Sequence, residues 1–393
     1  MGFAGKPSRS QLARQSSAAQ ISDQTSRSGQ RWVDQDFKDD AALYGRTRSH
    51  NFNNGNPIKW LRPHELKDAK ASEIELIKDG VGAGDVVQGE LGDCYLLGAM
   101  SSIAAAAHKG DTGGLLKKLI KSGAAELDKG FVTFQLYSFG EWIDITVDTL
   151  VPCDAEGSPL FARCKDPSEM WVIFLEKAYA KLYGSYENLD GGNGSHAPSQ
   201  DTPARTLLRT RPSCGLEHPG GVGVAHAGGR WCAVTAAIVD LSGGIGEKVD
   251  LNDEDVVYEI ADGSLWKRLL RYAARDNYMM AAANVDNGQV DRGGKSGNIH
   301  RTDLGILVNH AYTLLDAREV GEPYQDKIRL LKLRNPWGMQ EWEGPWSDND
   351  QMWNTPIGSK AKDRLGVTFE DDGTFWIAWE DFQAHFNKVY QLV

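Results

Sequence analysis

The sequence predicts an α+β protein built as two lobes, the first largely helical and the second mostly β, with a cleft between them. Three observations predict it. The 393 residues exceed the roughly 100–200 of a single domain. Apolar residues return at helical spacing in two stretches of the first half, 91–107 and 169–184. Later the pattern changes to strand-like runs such as HAYTLLDA (310–317) and KIRLLKLRN (327–335), separated by Trp-rich loops.

In chain order, residues 1–31 are rich in Ser, Gln and Arg and hold almost no large apolar side chain. They are expected to be a disordered tail, because too little surface can be buried to offset the entropy of ordering. Globular patterning begins near Trp32, and the first lobe is expected over 32–242. LGDCYLLGAMSSIAAAA (91–107) reads as a helix entered through Gly92 and Asp93, with Cys94 in its first turn. FVTFQLYSFGEWIDITVD (131–148) alternates aromatic and β-branched residues about a Gly-containing turn, the mark of a hairpin. EMWVIFLEKAYAKLYG (169–184) reads as a buried helix closed by Gly184. The stretch 194–235 carries Pro198, Pro203, Pro212, Pro219 and several Gly pairs without apolar periodicity, and is expected to be an inserted, exposed loop. Regular structure is expected to return at DLSGG (240–244), and the second lobe to occupy 243–393. SLWKRLLRYAARDNYMMAAA (264–283) has the spacing of an amphipathic helix.

Composition narrows the function. A formal net charge of −11 argues against nucleic acid as a partner, which would need clustered Lys and Arg. No apolar run approaches the ~20 residues that span a bilayer. Five cysteines are too few and scattered to staple the chain, and their odd number leaves a free thiol, as in a reducing compartment. The N-terminal MGFAGKPS has Lys6 where a myristoylation signal wants Ser or Thr, so a cytoplasmic, unanchored protein is expected.

A free cysteine is most often a small buried hydrophobe. The position of Cys94 argues for more, since a helix N-terminus stabilises the thiolate that acts as a nucleophile. Such a nucleophile needs a base and a group to orient that base, and the second half offers His310 in GILVNHAYTLL and Asn335 in LRNPWG, both at ends of strand-like runs.

These words resemble the calpain family of papain-like cysteine proteases, whose core has a QGxLGDCW helix entrance, a GHAY-type strand and an RNPWG loop. The resemblance covers most of residues 32–393 and takes in RPHEL, GEWIDITVD, LEKAYAKLYGSYENLDGG, DLSGG, EWEGPWSD and DGTFW in the family's order. It implies a papain-like core with Cys94 as nucleophile, His310 as general base and acid, Asn335 holding the imidazole, and Gln88 as oxyanion donor. Trp337 is expected to shield the Asn–His hydrogen bond. Tyr95 replaces the usual Trp and keeps a large ring beside the nucleophile.

The resemblance also implies Ca²⁺, with no organic cofactor. Calcium takes six to eight oxygen ligands, which suits acidic residues beside Gly-rich turns. One implied set joins the carbonyls of Lys78 and Gly80 to the carboxylates of Asp85 and Glu169. A second joins Glu341, Asp348, the Glu370 carbonyl and Asp372, with Thr374 where the family commonly has an acid, a departure expected to weaken that site. DLNDEDVVYEIA (250–261) fails as an EF-hand loop, having Asp255 for the required Gly and Ala261 for the required Glu. Cys214, His218, His226 and Cys232 lack a standard zinc spacing.

The implied function is calcium-dependent limited proteolysis of protein or peptide substrates. The alternative is a catalytically inactive calpain-like binding module, blocked by the insertion, which is read as lineage-specific or as an intron translated in frame. Acyl transfer uses similar Cys–His chemistry, but the flanking words argue against it.

Overall fold

The computed structural model describes residues 15–45, 48–108, 114–191, 232–275, 278–285, 299–321 and 327–392. The first lobe is built from helix α1 (Cys94–His108), the hairpin strands β1 (Phe131–Ser138) and β2 (Glu141–Asp148), and helices α2 (Trp171–Tyr183) and α3 (Cys232–Ser242). Phe139 and Gly140 turn the hairpin at φ 55° and 83°, the left-handed pair that a two-residue turn needs to match the strand twist. The apolar run of α2 is buried on every side, and Gly184 ends it in the left-handed conformation.

The second lobe is a six-stranded antiparallel sheet of β3 (Gly246–Asp250), β4 (Met280–Asn284), β5 (His310–Val320), β6 (Ile328–Arg334), β7 (Thr374–Ala378) and β8 (Lys388–Leu392), in the spatial order β7-β6-β5-β4-β8-β3. Its central strands are buried on both faces. On β4, Ala281 and Ala283 join the core of the first lobe, while Met280 and Ala282 join that of the second. Ala311 and Tyr390 follow the first pattern, Tyr312 and Val389 the second. The sheet is therefore the wall between the lobes, and side-chain alternation along each strand gives one face to each core.

Helix α1 lies on the first-lobe face of that wall. Thr313 Oγ1 of β5 donates to Gly98 O at 3.0 Å, and Ser102 Oγ, one turn later in α1, donates to Met280 O of β4 at 2.9 Å. A third cluster, with Trp346, Trp353 and Trp376, closes the outer end of the sheet. Among the described residues, no helix is long and apolar enough to cross a membrane.

Three expectations need correction. Within the supposed tail, Ala18–Ser28 is a helix with a Ser17–Gln20 capping box and a left-handed Gly29 cap, and Ile21 is buried. One apolar side chain and good caps suffice because the helix docks on the first lobe, where Lys129 Nζ donates to Ser22 Oγ at 2.6 Å. Residues 1–14 lie outside the described residues. Regular structure resumes at Cys232, so 232–235 open α3 rather than close a loop, and Val234, Ala237 and Ile238 pack into the first core. The preceding 192–231, with Cys214, His218 and His226, lie outside the described residues. Finally, the helix expected over 264–283 is Ser264–Ala273 alone, and Met280–Asn284 is strand β4. Alanines favour helix in isolation, but between β5 and β8 their small side chains fit a strand covered on both faces. The rejected EF-hand stretch is mostly the helix Glu254–Ala261.

Candidate active site

Cys94 is the first residue of α1, where backbone N–H groups have no intrahelical acceptor and favour a negative charge. The helix begins because the Asp93 carbonyl accepts from Leu96 N at 2.8 Å and Leu97 N at 3.2 Å. The Asp93 carboxyl is buried against Glu176 of α2; burial pushes it up to about 7 and pushes Glu176 well above the carboxylate range. Because burial disfavours the ionised form of both carboxyls, less negative charge opposes a thiolate next door. The thiols described divide cleanly. Cys94 is half-buried, whereas Cys153 and Cys164 are free but buried, burial pushing Cys153 up to about 12 and Cys164 well above a normal thiol.

His310 opens β5 and pairs in register with Asn284. The preceding Asn309 takes φ 59°, a left-handed conformation that Asn tolerates better than most residues, and its N–H donates to Asn284 O at 2.7 Å. His310 Nε2 lies 2.8 Å from Asn335 Oδ1, with both residues fully buried. The Asn335 amide is oriented by its surroundings: Nδ2 donates to Met339 O at 2.7 Å and Gln340 O at 3.1 Å, and Oδ1 accepts from Trp337 N at 3.1 Å. Oδ1 must therefore be the atom facing the imidazole, which puts a proton on Nε2 and leaves Nδ1 as the basic nitrogen. The Trp337 ring lies 4.9 Å from the imidazole centroid and the Tyr312 ring 5.1 Å, edge-on.

The packing of α1 on β5 ties the strand of His310 to the helix of Cys94. The Thr313–Gly98 bond fixes the strand three residues after His310 against the helix one turn after Cys94. Gln88 N donates to Pro336 O at 3.0 Å, so the loop before Cys94 touches the loop that carries Asn335. The side chain of Gln88 faces its own turn, Nε2 donating to Leu91 O at 2.6 Å.

The implied calcium residues fall into two loop clusters. In the first, Lys78 N donates to Glu169 Oε1 at 3.0 Å, Gly80 takes φ 99°, and Gly82 N donates to Asp85 Oδ2 at 2.6 Å. Burial, with Asp85 nearby, pushes Glu169 up to about 7. In the second, Glu341 Oε1 accepts from Gly373 N at 2.9 Å and Asp372 N at 3.2 Å, and Asp372 N also reaches Glu370 O at 2.8 Å. Burial, then Asp348, pushes Glu341 up to about 7; burial, then Asp372, pushes Asp348 up to about 6. Hard oxygen donors crowded enough to resist ionisation suit a divalent cation in their chemistry. Among the described residues, however, no three His, Cys, Asp or Glu groups converge into a ready cage, so backbone carbonyls and loop movement would have to complete either site. Asp348, Glu370 and Asp372 of the second cluster line an interlobe cleft of about 320 Å³ together with Gly82 and Gly84, which precede Asp85 in the first cluster's turn, while Glu169 lines a separate cavity.

Sequence reasoning placed Asp93 at the helix entrance but missed its burial beside Glu176, and it overlooked Glu176 and Arg334. All three stand inside or beside the quoted words, but a charged residue in a sequence reads as solvent-exposed unless its partners are known.

The family model for calpain family cysteine proteases matches residues 32–208 and 228–392, leaving 209–227 unmatched inside a continuous core. Among curated proteins, the chain is 31% identical over 91% of its length to the calpain-type cysteine protease ADL1 of Oryza sativa subsp. japonica, covering 14% of that protein. It is 32% identical over 84% of its length to calpain-12 of Mus musculus and 28% identical over 85% to calpain-5 of the same species, covering 36% and 46% of them. The chain thus spans less than half the length of each of these relatives, and the residues matched by the family model include the helix of Cys94, the strand of His310 and the loop of Asn335. This chain belongs to the calpain family of cysteine proteases.

Proposed function

We propose that the chain is a calcium-dependent cysteine endopeptidase that performs limited proteolysis of cytoplasmic proteins, with Cys94, His310 and Asn335 as its triad. The observation that carries this reading is the buried Nε2–Oδ1 bond of His310 and Asn335 at the adjoining ends of β5 and β6, with β5 bonded through Thr313 to the Cys94 helix. His310 Nδ1 takes the Cys94 proton, and the helix N-terminus and the imidazolium stabilise the thiolate. The sulfur attacks the carbonyl carbon of an extended peptide, and the oxygen gains charge beside the Cys94 N–H and the Gln88 amide. Collapse expels the amine, which takes the proton from His310 and leaves a thioester. Water, deprotonated by the same imidazole, then releases the acid and restores the thiol.

Calcium would be held by Asp85 and Glu169 with the carbonyls of Lys78 and Gly80, and by Glu341, Asp348 and Asp372 with the carbonyl of Glu370. It would supply charge neutralisation among these carboxylates, and the chemistry at the thiol belongs to the protein. The test is peptide hydrolysis across a calcium titration, wild type beside Cys94→Ser. Calcium-dependent turnover in wild type alone is expected; equal rates in both would end the reading.

One observation favours the alternative, a binding module without turnover: Nε2 of Gln88 is engaged with Leu91 O instead of standing free for an oxyanion. Failure of a thiol-reactive peptide to label Cys94 at any calcium concentration would select it.

A further inference from the structure

Arg334 stands beside the candidate triad without belonging to it. It is the last residue of β6, directly before Asn335, and its side chain is 1% exposed. Burying a guanidinium is costly unless its N–H groups are bonded, and burial pushes its pKa down to about 10. Its bonds cross to the first lobe. Nη1 donates to Val86 O at 2.8 Å and approaches Ser101 Oγ of α1 at 3.5 Å, and Nη2 donates to Gly84 O at 3.3 Å.

One planar fork thus grips the carbonyls on either side of Asp85, a geometry that a guanidinium offers and an ammonium does not. Carboxylates from both lobes, Asp372 and Asp85, favour its charge. Two residues further along both segments, Gln88 N donates to Pro336 O, so the seam between the lobes continues from this grip. Within the sheet Arg334 pairs with Thr313, the residue whose hydroxyl is bonded to Gly98 of the Cys94 helix.

We propose that Arg334 is a positioning residue, a clamp that sets the His310–Asn335 pair against Cys94 by holding the Gly84–Val86 turn of the first lobe. Its catalytic consequence rests on the protease reading; the clamp itself does not. Asn335 is the next residue in the chain, so a shift in the anchor moves the imidazole relative to the thiol, and a displacement of about 1 Å costs on the order of 100-fold in rate. Asp85 and Asp372 belong to the two candidate calcium loops, so cation binding and the clamp act on the same seam.

The test uses the full chain with Arg334→Lys and Arg334→Gln. The readouts are amide hydrogen exchange over 84–88, the pH dependence of Cys94 alkylation by iodoacetamide, and peptide hydrolysis. Both variants are expected to keep the wild-type circular dichroism while losing protection at 84–88. The acid limb of alkylation should move toward the free-thiol value of about 8.5, and kcat should fall about 100-fold with little change in KM. A folded Arg334→Gln protein with wild-type protection and an unmoved acid limb overturns the clamp. If that variant fails to fold, Arg334→Lys, which keeps the charge and most of the bulk, decides by the same two readouts. A wild type that hydrolyses nothing, but whose 84–88 protection depends on Arg334, ends the protease reading and leaves the clamp standing. Full hydrolysis and protection in folded Arg334→Lys does the reverse.

Discussion

Cys94 differs from Cys153 and Cys164 in place, not in kind. It sits half-buried at the entrance of α1, while the other two are buried, which raises their thiol pKa values. A limiting dose of a thiol-reactive peptide should therefore modify Cys94 and spare Cys153 and Cys164 in the folded protein, with all three reacting once it is denatured; peptide mass mapping reads the difference. Gln88 is expected to break its bond to Leu91 O when a substrate carbonyl arrives. Gln88→Ala should lower kcat by about 10²–10³ with KM nearly unchanged, as for other oxyanion donors, and steady-state kinetics separates the two parameters. His310 and Asn335 were legible as a pair because each ends a strand-like run in a distinctive word. The orientation of the Asn335 amide was not, since it depends on the carbonyls of Met339 and Gln340 folding back toward it.

Helix α2 shows where the reading of elements stops. Its span, its burial and its Gly184 stop are plain in the sequence, but the partners that let Lys177 and Lys181 be buried with it are not. Lys177 Nζ meets Asp148 Oδ1 and Leu150 O, both at 2.6 Å, and Lys181 Nζ meets Asp34 Oδ2 at 2.5 Å and Thr146 O at 2.7 Å. These partners lie on β2 and near the N-terminal helix, so only packing reveals them. Lys177→Met should leave Asp148 buried without its cation and cost about 3–5 kcal/mol, measured by urea unfolding. Gly45 and residues 48–50 are held in a similar way. The Glu187 carboxylate accepts from the backbone N–H groups of Gly45, Arg48, Ser49 and His50, and His50 pairs with Asp190. The hydrogen bond to Asp190, against the opposing effect of burial, raises the His50 pKa above 6.5. The folded state therefore holds this proton more tightly, so the stabilisation is full below pH 6.5 and is lost as pH rises through the raised value. His50→Gln should lower the melting temperature most in acid, with the gap from wild type closing as pH climbs, as differential scanning fluorimetry would show.

At the scale of the molecule, the sheet is shared by both cores, and α3 ties the region after 231 into the first lobe. Tyr179 and Tyr183 of α2 both donate to Asp240 Oδ2 of α3, at 3.0 and 2.5 Å. On the other side of 192–231, Gly191 N donates to Gly92 O at 2.9 Å, beside the entrance of α1. Both ends of the segment are thus anchored independently of what lies between them, and loop-closure entropy varies only slowly with length. Deleting 209–227, the stretch the family model leaves unmatched, should change the melting temperature by less than the Lys177→Met substitution and preserve Cys94 labelling. Loss of folding on deletion would assign the segment a structural role.

The sequence by itself determined the α+β class, the helix that begins at Cys94, the hairpin, the extent of α2 and the triad candidates, because each is written in local periodicity or in a short word. Tertiary structure alone decided that the alanines of 281–283 form a strand, that Ile21 docks a helix, that Asp93 and Glu176 share the core, and that Arg334 reaches across the seam. In each of those cases the deciding contact comes from residues distant in the chain, and burial by a remote partner reverses what propensity or charge would favour in water.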